Sequence, residues 1–191
     1  MNRLLLRALN GPLFVLIVMV AVALQASLFK SWPASLFQPD LVIVAVVWCG
    51  LKRDLIEGSI LTLIFGEIAE VHSSAPQGIL MLCYVITFLL TLACLRLFVL
   101  KGRRSWILLT GLGSVLWKAA FLSALYLLDL SDHQWRHTLT FLIPNTLVTC
   151  TLAWFAFPWL DRFDTKTWKS DRIRQAIEGD LLLSDDDEDW S

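Results

Sequence analysis

Charged side chains are scarce in this sequence, since Asp, Glu, Lys and Arg make up only 17% of its 191 residues. Ordinary soluble domains carry about 25% charged residues, so the shortage argues against a soluble protein. Apolar residues make up 57% of the chain and come in long blocks separated by short charged segments. This pattern is typical of helices that cross a lipid bilayer.

Paired cysteines and catalytic motifs are also missing. Cys49, Cys83, Cys94 and Cys150 lie singly in apolar runs, without the spacing of a zinc site or a disulfide framework. We expect them to be small apolar packing residues. The chain contains no G-x-S-x-G, H-E-x-x-H, phosphate-binding loop or dinucleotide fingerprint. These patterns therefore indicate no catalytic residue, no cofactor site and no metal site.

Six apolar blocks can form helices in a membrane. They run over residues 11–29, 39–51, 55–71, 78–100, 105–128 and 138–160. The second block is short, and we expect its helix to start at Pro39, because proline suits the first turn and Asp40 suits the positive helix end. At ~1.5 Å per residue it only nearly crosses, so local thinning of the bilayer or a re-entrant path stays open.

The distribution of Lys and Arg predicts the orientation of these helices. With the amino terminus in the cytoplasm, the outer loops hold only Lys30 and Arg136. The inner segments hold Arg3, Arg7, Lys52, Arg53, Lys101, Arg103, Arg104 and five more basic residues between positions 162 and 174. We therefore predict an all-α integral membrane protein with six transmembrane helices over residues 1–160 and both termini in the cytoplasm.

The remaining residues, 161–191, form a predicted cytoplasmic tail. Ten of the seventeen acidic residues lie at or after Asp161. Residues 162–174 mix basic groups with Trp168, which suits contact with an anionic membrane leaflet. The acidic end from Asp180 onward is expected to be disordered. It either keeps the tail soluble or binds a basic groove on a cytoplasmic partner.

Block three carries a stripe of small and polar residues on one helical face. A face of this kind lets helices approach closely in lipid, so we expect it to pack on protein, within the bundle or in a partner. Its members are Ser59, Thr62, Gly66, Ala69 and Glu70. The apolar residues Ile60, Leu61, Ile64, Phe65 and Ile68 occupy the other face, which is expected to meet lipid.

Two ionisable residues are expected deep in the membrane. Glu67 and Lys118 lie at nearly the same depth, about 18–20 Å from the cytoplasmic ends of their helices at ~1.5 Å per residue. A charge at that depth costs at least ~2.5 kcal/mol unless it is paired or hydrated, so we predict an ion pair between them. Alternatively, Glu67, Glu70 and His72 form a proton relay or a metal site, although His72 projects to a different face from Glu70.

Several short motifs, taken in order, resemble MreD, the small membrane subunit of the bacterial rod-shape (elongation) complex. Ala23-Leu24-Gln25 ends the first block, Pro39-Asp40 opens the second, and Trp48 stands where the family often has an aromatic residue. The most specific stretch contains Gly58, Gly66, Glu70 and Gly78, and Asn145 and Pro158 suit the last helix. The family usually has Asp where this chain has Glu70, and the acidic tail is longer than expected for the family.

The resemblance implies a helix arrangement similar to that of the substrate-binding subunits of energy-coupling-factor vitamin transporters. It implies a non-enzymatic scaffold, multi-pass in the bacterial cytoplasmic (inner) membrane, that organises peptidoglycan synthesis and cell shape. The implied partners are an MreC-like bitopic membrane protein, the RodA-type glycosyltransferase, its penicillin-binding transpeptidase, MreB and membrane lipids, but not nucleic acid.

Two other functions stay open. A small-molecule transporter subunit of the vitamin-binding type would need an outward cavity lined by polar groups. A membrane enzyme would use Glu67 and Glu70. Genes for MreB and MreC alongside this one would favour the scaffold, whereas a neighbouring vitamin-biosynthesis or ATPase gene would favour the transporter subunit.

Overall fold

The computed structural model describes residues 2–29, 38–73, 75–97, 103–128 and 134–166, and its regular secondary structure over these ranges is entirely helical. Its helices are α1 (Asn2–Leu28), α2 (Leu41–Lys52), α3 (Leu55–Val71), α4 (Ile79–Leu97), α5 (Arg103–Leu127) and α6 (Gln134–Lys166). They follow the six predicted blocks in order, which confirms the all-α prediction. The acidic end of the tail lies outside the described residues.

Four of the helices are long and apolar enough to cross a membrane. The qualifying segments are Leu9–Leu28 in α1, Ile79–Leu97 in α4, Arg104–Leu127 in α5 and Thr140–Thr165 in α6. The chain therefore has the helices of a membrane protein. Helix α2 has 12 residues and extends about 18 Å, which is shorter than a hydrocarbon core of about 30 Å.

Helix α2 lies at the centre of the bundle and contacts each of the other five helices. Nine consecutive residues, from Val42 to Gly50, are buried. Trp48 is 0% exposed, and its ring packs against Trp106 and Phe157 at centroid distances of 6.4 and 5.6 Å. A helix that is apolar on every side is stable only when it is surrounded. The predicted second span is thus the core on which the longer helices pack.

The start of α2 is fixed by its cap residue and by side chains from two other helices. The Asp40 carboxylate accepts a hydrogen bond from the backbone N–H of Ile43 at 3.0 Å. The backbone N–H groups of Asp40 and Leu41 donate to Thr149 Oγ1 at 3.1 Å and to Gln25 Oε1 at 3.4 Å. These contacts satisfy donors that a helix amino terminus leaves unpaired. The helix begins two residues later than predicted, with Asp40 as its cap.

Helices α3 and α4 approach closely because glycine removes side-chain bulk between them. A Cβ atom added to Gly66 would lie 2.9 Å from the Cα atom of Met81, and one added to Gly58 would lie 2.8 Å from the Phe88 ring. In lipid, where no hydrophobic force drives helices together, helix association depends on close backbone contact of this kind.

A buried group of polar residues joins four helices at one end of the bundle. The Arg53 guanidinium, fully buried after α2, lies 2.6 Å from the Asp164 carboxylate of α6 and 3.4 Å from the Glu57 carboxylate of α3. Asn10 of α1 donates to Asp164 at 3.2 Å. We call Asn10, Arg53, Glu57 and Asp164 the ionic cluster.

The ionic cluster includes a residue beyond position 160, where the sequence predicts the end of the transmembrane domain. Helix α6 continues to Lys166, and Asp164 is buried in the bundle. One turn earlier, Asp161 lies 3.3 Å from the Lys52 ammonium, which also sits over the Trp106 ring. The first residues assigned to the tail are therefore part of the helical bundle, because their carboxylates meet the basic residues that end α2.

Candidate functional site

A cavity of about 570 Å³ lies at the end of the bundle opposite the ionic cluster. Its polar lining includes His72 after α3, Tyr84 of α4, Lys118 of α5 and Asn145 of α6, together with the α2 cap Asp40. Exposed residues such as His72 form its rim. The volume lies within the ~300–1,000 Å³ typical of small-molecule sites.

Asp40 and Lys118 are the charged groups on the described wall of this cavity. The Tyr84 hydroxyl donates to the two Asp40 carboxylate oxygens at 3.3 and 3.4 Å. Lys118 is only 7% exposed, and its ammonium donates to the backbone carbonyl of Leu142 at 3.4 Å. The negative charge of Asp40 attracts this buried ammonium. Because the two charges are opposite, each lowers the free-energy cost of burying the other in the bundle.

The predicted ion pair between Glu67 and Lys118 is not formed. Glu67 is exposed on α3, whereas Lys118 is buried on α5 and lines the polar cavity together with Asp40. Helix α3 packs on α1, α2 and α4, while α5 packs on α2, α4 and α6. Equal depth in the membrane therefore did not make the two residues neighbours, because α4 lies between their helices.

The small-residue face of α3 packs largely within the chain. Thr62 and Gly66 are buried, and Gly66 faces α4. Ser59, Ala69 and Glu70 are half-buried, and Ala69 also lines the cavity. The buried part of this face is consequently not open to a partner helix.

The opposite face of α3 is divided, and only part of it is exposed as expected. Ile60 and Ile64 are exposed, but Leu61 and Phe65 are buried. The Phe65 ring meets the Phe14 ring of α1 edge-on at a centroid distance of 5.3 Å. The lipid-facing prediction for Leu61 and Phe65 is therefore wrong, because α1 covers that side of the helix.

Glu70 and His72, at the end of α3, bond to different backbone groups. Glu70 accepts a hydrogen bond from the backbone N–H of Gly78 and so closes the loop to α4. Gly78 has φ +87°, a backbone conformation that favours glycine. His72 Nδ1 is bonded to the Ile68 carbonyl at 2.9 Å. Among the residues that the structure describes, no three His, Cys, Asp or Glu side chains converge on a possible metal position.

Two buried polar atoms in the cavity wall have no hydrogen-bond partner among the described residues. These are Trp117 Nε1 and Asn145 Oδ1. The indole of Trp117 is held in place by stacking on Tyr84 at 5.3 Å and on Phe121 at 5.5 Å. Buried polar groups are normally paired, so these atoms provide unused hydrogen-bonding capacity at the site.

Sequence reasoning identified Lys118 as unusual but raised an outward polar cavity only as a requirement of the transporter alternative, without naming its lining residues. Asp40 was interpreted only as a helix cap, and Asn145 only as part of the family resemblance. Trp117 was not selected at all. The available signal was the isolation of polar residues within apolar helices, since such residues tend to face a cavity or a partner.

A second surface feature is an apolar groove of about 980 Å³ between α1 and α3. Gly11, Pro12 and Val15 form one wall, and Ile60 and Ile64 belong to the other. Asp54 and Glu57 line the end of the groove nearest the ionic cluster. We call this feature the α1–α3 groove.

Comparison of the chain with models of protein families, with characterised proteins and with solved structures finds no significant match.

Proposed function

We propose that this chain is a non-enzymatic membrane scaffold of the MreD type in the bacterial cytoplasmic membrane. It binds an MreC-like bitopic protein and thereby organises peptidoglycan synthesis and cell shape, with the RodA-type glycosyltransferase, its transpeptidase and MreB as further members of the assembly. The observation that carries the proposal is the α1–α3 groove, which offers a place for a partner's transmembrane helix.

The dimensions and composition of the α1–α3 groove suit a helix. Its α3 wall extends from Asp54 to Ile64, which at ~1.5 Å per residue is about 15 Å, or three helical turns. A Cβ atom added to Gly11 would meet nothing within 4 Å, so a partner backbone can come close to α1. Helix α1 also packs on only α2 and α3 among its principal neighbours, leaving most of its surface to lipid or a partner.

Filling the groove provides the test. Ile60 is 54% exposed, so Ile60→Trp adds bulk to the groove without replacing a buried residue. We expect normal protein abundance but at least about tenfold weaker capture of a co-expressed MreC-like protein, since loss of close helix packing of about 1.4 kcal/mol has that effect. Co-purification from nanodiscs or mild detergent measures it.

Leu108→Trp is the matched control, because Leu108 is 75% exposed on α5 and lies outside the groove. It should leave capture unchanged. If Ile60→Trp retained full capture, or if both variants lost it equally, the groove would not be the partner site. Capture of phospholipid alone by the wild-type groove would assign it to lipid.

We further propose that all six helices cross the membrane with both termini in the cytoplasm. Successive helices run in opposite directions, which supports this topology. The basic residues Lys52, Arg53, Arg104 and Arg162 are thereby placed at or near the end of the bundle that holds the ionic cluster. An excess of basic residues marks the cytoplasmic side. The short α2 would be completed by its flanking residues and by local thinning of the bilayer.

Reporter fusions test this topology directly. Fusions after Arg104 and after Arg174 are expected to report a cytoplasmic location, and a fusion within residues 131–135 is expected to report an external one. Paired alkaline phosphatase and fluorescent protein reporters, active on opposite sides, provide the measurement and its control. A cytoplasmic signal from residues 131–135 would contradict the six-span arrangement.

The polar cavity supports a second candidate function, that of a substrate-binding subunit of a vitamin-type transporter. Such a subunit would co-purify with a transmembrane coupling protein and its ATPases, whereas the scaffold would co-purify with an MreC-like protein. Affinity purification at native expression level separates the two functions.

A further inference from the structure

We propose that the polar cavity binds a small organic molecule that presents a single carboxylate to Lys118 and Trp117. This goes beyond the scaffold function, because the polar cavity is separate from the α1–α3 groove and the proposal assigns it a class of ligand. If the chain is instead a transporter subunit, the same proposal gives the chemical class of its substrate.

Lys118 supplies the charge for recognition of an anion. Its ammonium has three donors, and the described contact uses one of them, a 3.4 Å hydrogen bond to the Leu142 carbonyl. The Asp40 carboxylate attracts it but already accepts hydrogen bonds from Ile43 N–H and the Tyr84 hydroxyl. Lys118 therefore retains donor capacity toward the cavity that it lines.

Trp117, which precedes Lys118 in α5, adds a second donor on a residue that lines the cavity. Its indole is held by stacking on Tyr84 and Phe121, so the Nε1–H direction is set by packing. An indole N–H can only donate, and this one is buried without a partner. Trp117 and Lys118 both line the cavity, so a ligand with two acceptor oxygens has two donors available to it, and hydrogen bonds to an ionised oxygen are the stronger kind.

The remaining lining defines the rest of the ligand. Asn145 Oδ1 is a buried acceptor without a partner, which suits an amide or hydroxyl donor on the ligand. Val22, Leu80, Phe121 and Phe141 contribute apolar surface for a hydrocarbon portion. Small-molecule sites commonly combine a mainly apolar wall with a few placed polar groups.

The local charge balance favours a carboxylate over a phosphate. Lys118 and Asp40 are opposite charges on the same wall, so the described lining is nearly neutral. A dianionic phosphate would meet the Asp40 carboxylate as well as Lys118, and like charges repel. A monoanionic carboxylate brings one negative charge instead of two, so it meets less repulsion from Asp40 while still binding the Lys118 ammonium.

The experiment uses the full chain in lipid nanodiscs, with phenylacetate as the probe and phenylacetamide and phenylphosphonate as its neutral and dianionic analogues. Binding is measured by saturation-transfer NMR and calorimetry. We expect phenylacetate to bind at least about tenfold more tightly than either analogue, since a hydrogen bond to a charged group is stronger than one between neutral groups. Lys118→Met should remove this preference.

Trp117→Phe provides a second variant that keeps the aromatic stacking and removes only the N–H donor. It should weaken phenylacetate binding by about three- to tenfold. Trp106→Phe, the same change toward the other end of α5, is the matched control and should leave binding unchanged. If Lys118→Met does not fold, Trp117→Phe alone decides the question.

Three results would overturn the proposal: no phenylacetate binding, equal binding of phenylacetamide, or phenylacetate binding that neither variant weakens. Capture of the MreC-like partner is measured on the same samples. Because Lys118 and Trp117 lie outside the α1–α3 groove, their variants should retain partner capture. Failure of ligand binding is thereby distinguished from failure of the scaffold function.

Discussion

Replacing Asp164 with leucine is expected to destabilise the protein by roughly 3–5 kcal/mol, the usual cost of leaving one charge of a buried pair without its partner. The Arg53 side chain is 0% exposed, and the Asp164 carboxylate is its nearest partner at 2.6 Å. Glu57, at 3.4 Å, can compensate only partly. Thermal unfolding in nanodiscs, followed by intrinsic tryptophan fluorescence, measures the loss.

Two controls define the cause of that loss. In Asp161→Leu, one turn earlier, the lost carboxylate is 45% exposed, so its pair with Lys52 should contribute no more than about 1 kcal/mol. The double variant Arg53→Met with Asp164→Leu removes both charges and should recover much of the stability, because no unpaired guanidinium remains buried. If Asp164→Leu were no more harmful than Asp161→Leu, the ionic cluster would not stabilise the bundle.

Gly66→Leu is expected to reduce the amount of folded protein in the membrane strongly. Even a Cβ atom at this position would lie 2.9 Å from the Cα atom of Met81, so a branched side chain forces α3 and α4 apart. Overpacking of a tight core typically costs about 1–3 kcal/mol. Protein abundance in the membrane fraction and thermal unfolding in nanodiscs measure the effect.

Ile64→Leu is the control for this prediction, because it keeps side-chain volume at a position that is 37% exposed on the same helix. It should change abundance little. Ile60→Trp provides a second comparison. It is expected to lose partner capture at normal abundance, whereas Gly66→Leu is expected to lose abundance itself. Normal abundance and stability of Gly66→Leu would contradict the close approach of α3 and α4.

The sequence by itself determined the helices and their order. The length of a helix and its run of apolar residues are local properties of the sequence. The predicted bounds of α3 therefore agree with the structure, and the short length of α2 was also predicted. The cap at Asp40 was also predictable, because a cap depends on the backbone within one turn of the residue. The central position of α2 agrees with its apolar character on every side.

Only the tertiary structure decided which helices are neighbours and therefore which polar groups meet. Depth along a helix can be counted from the sequence, but rotation and neighbour identity depend on packing of all six helices together. This is why Lys118 shares a cavity with Asp40 and not with Glu67. It is also why Arg53, which the sequence places in a loop between two apolar blocks, is buried against Asp164, 111 residues away in the chain. The cavity is assembled in the same way, from residues that no local pattern connects.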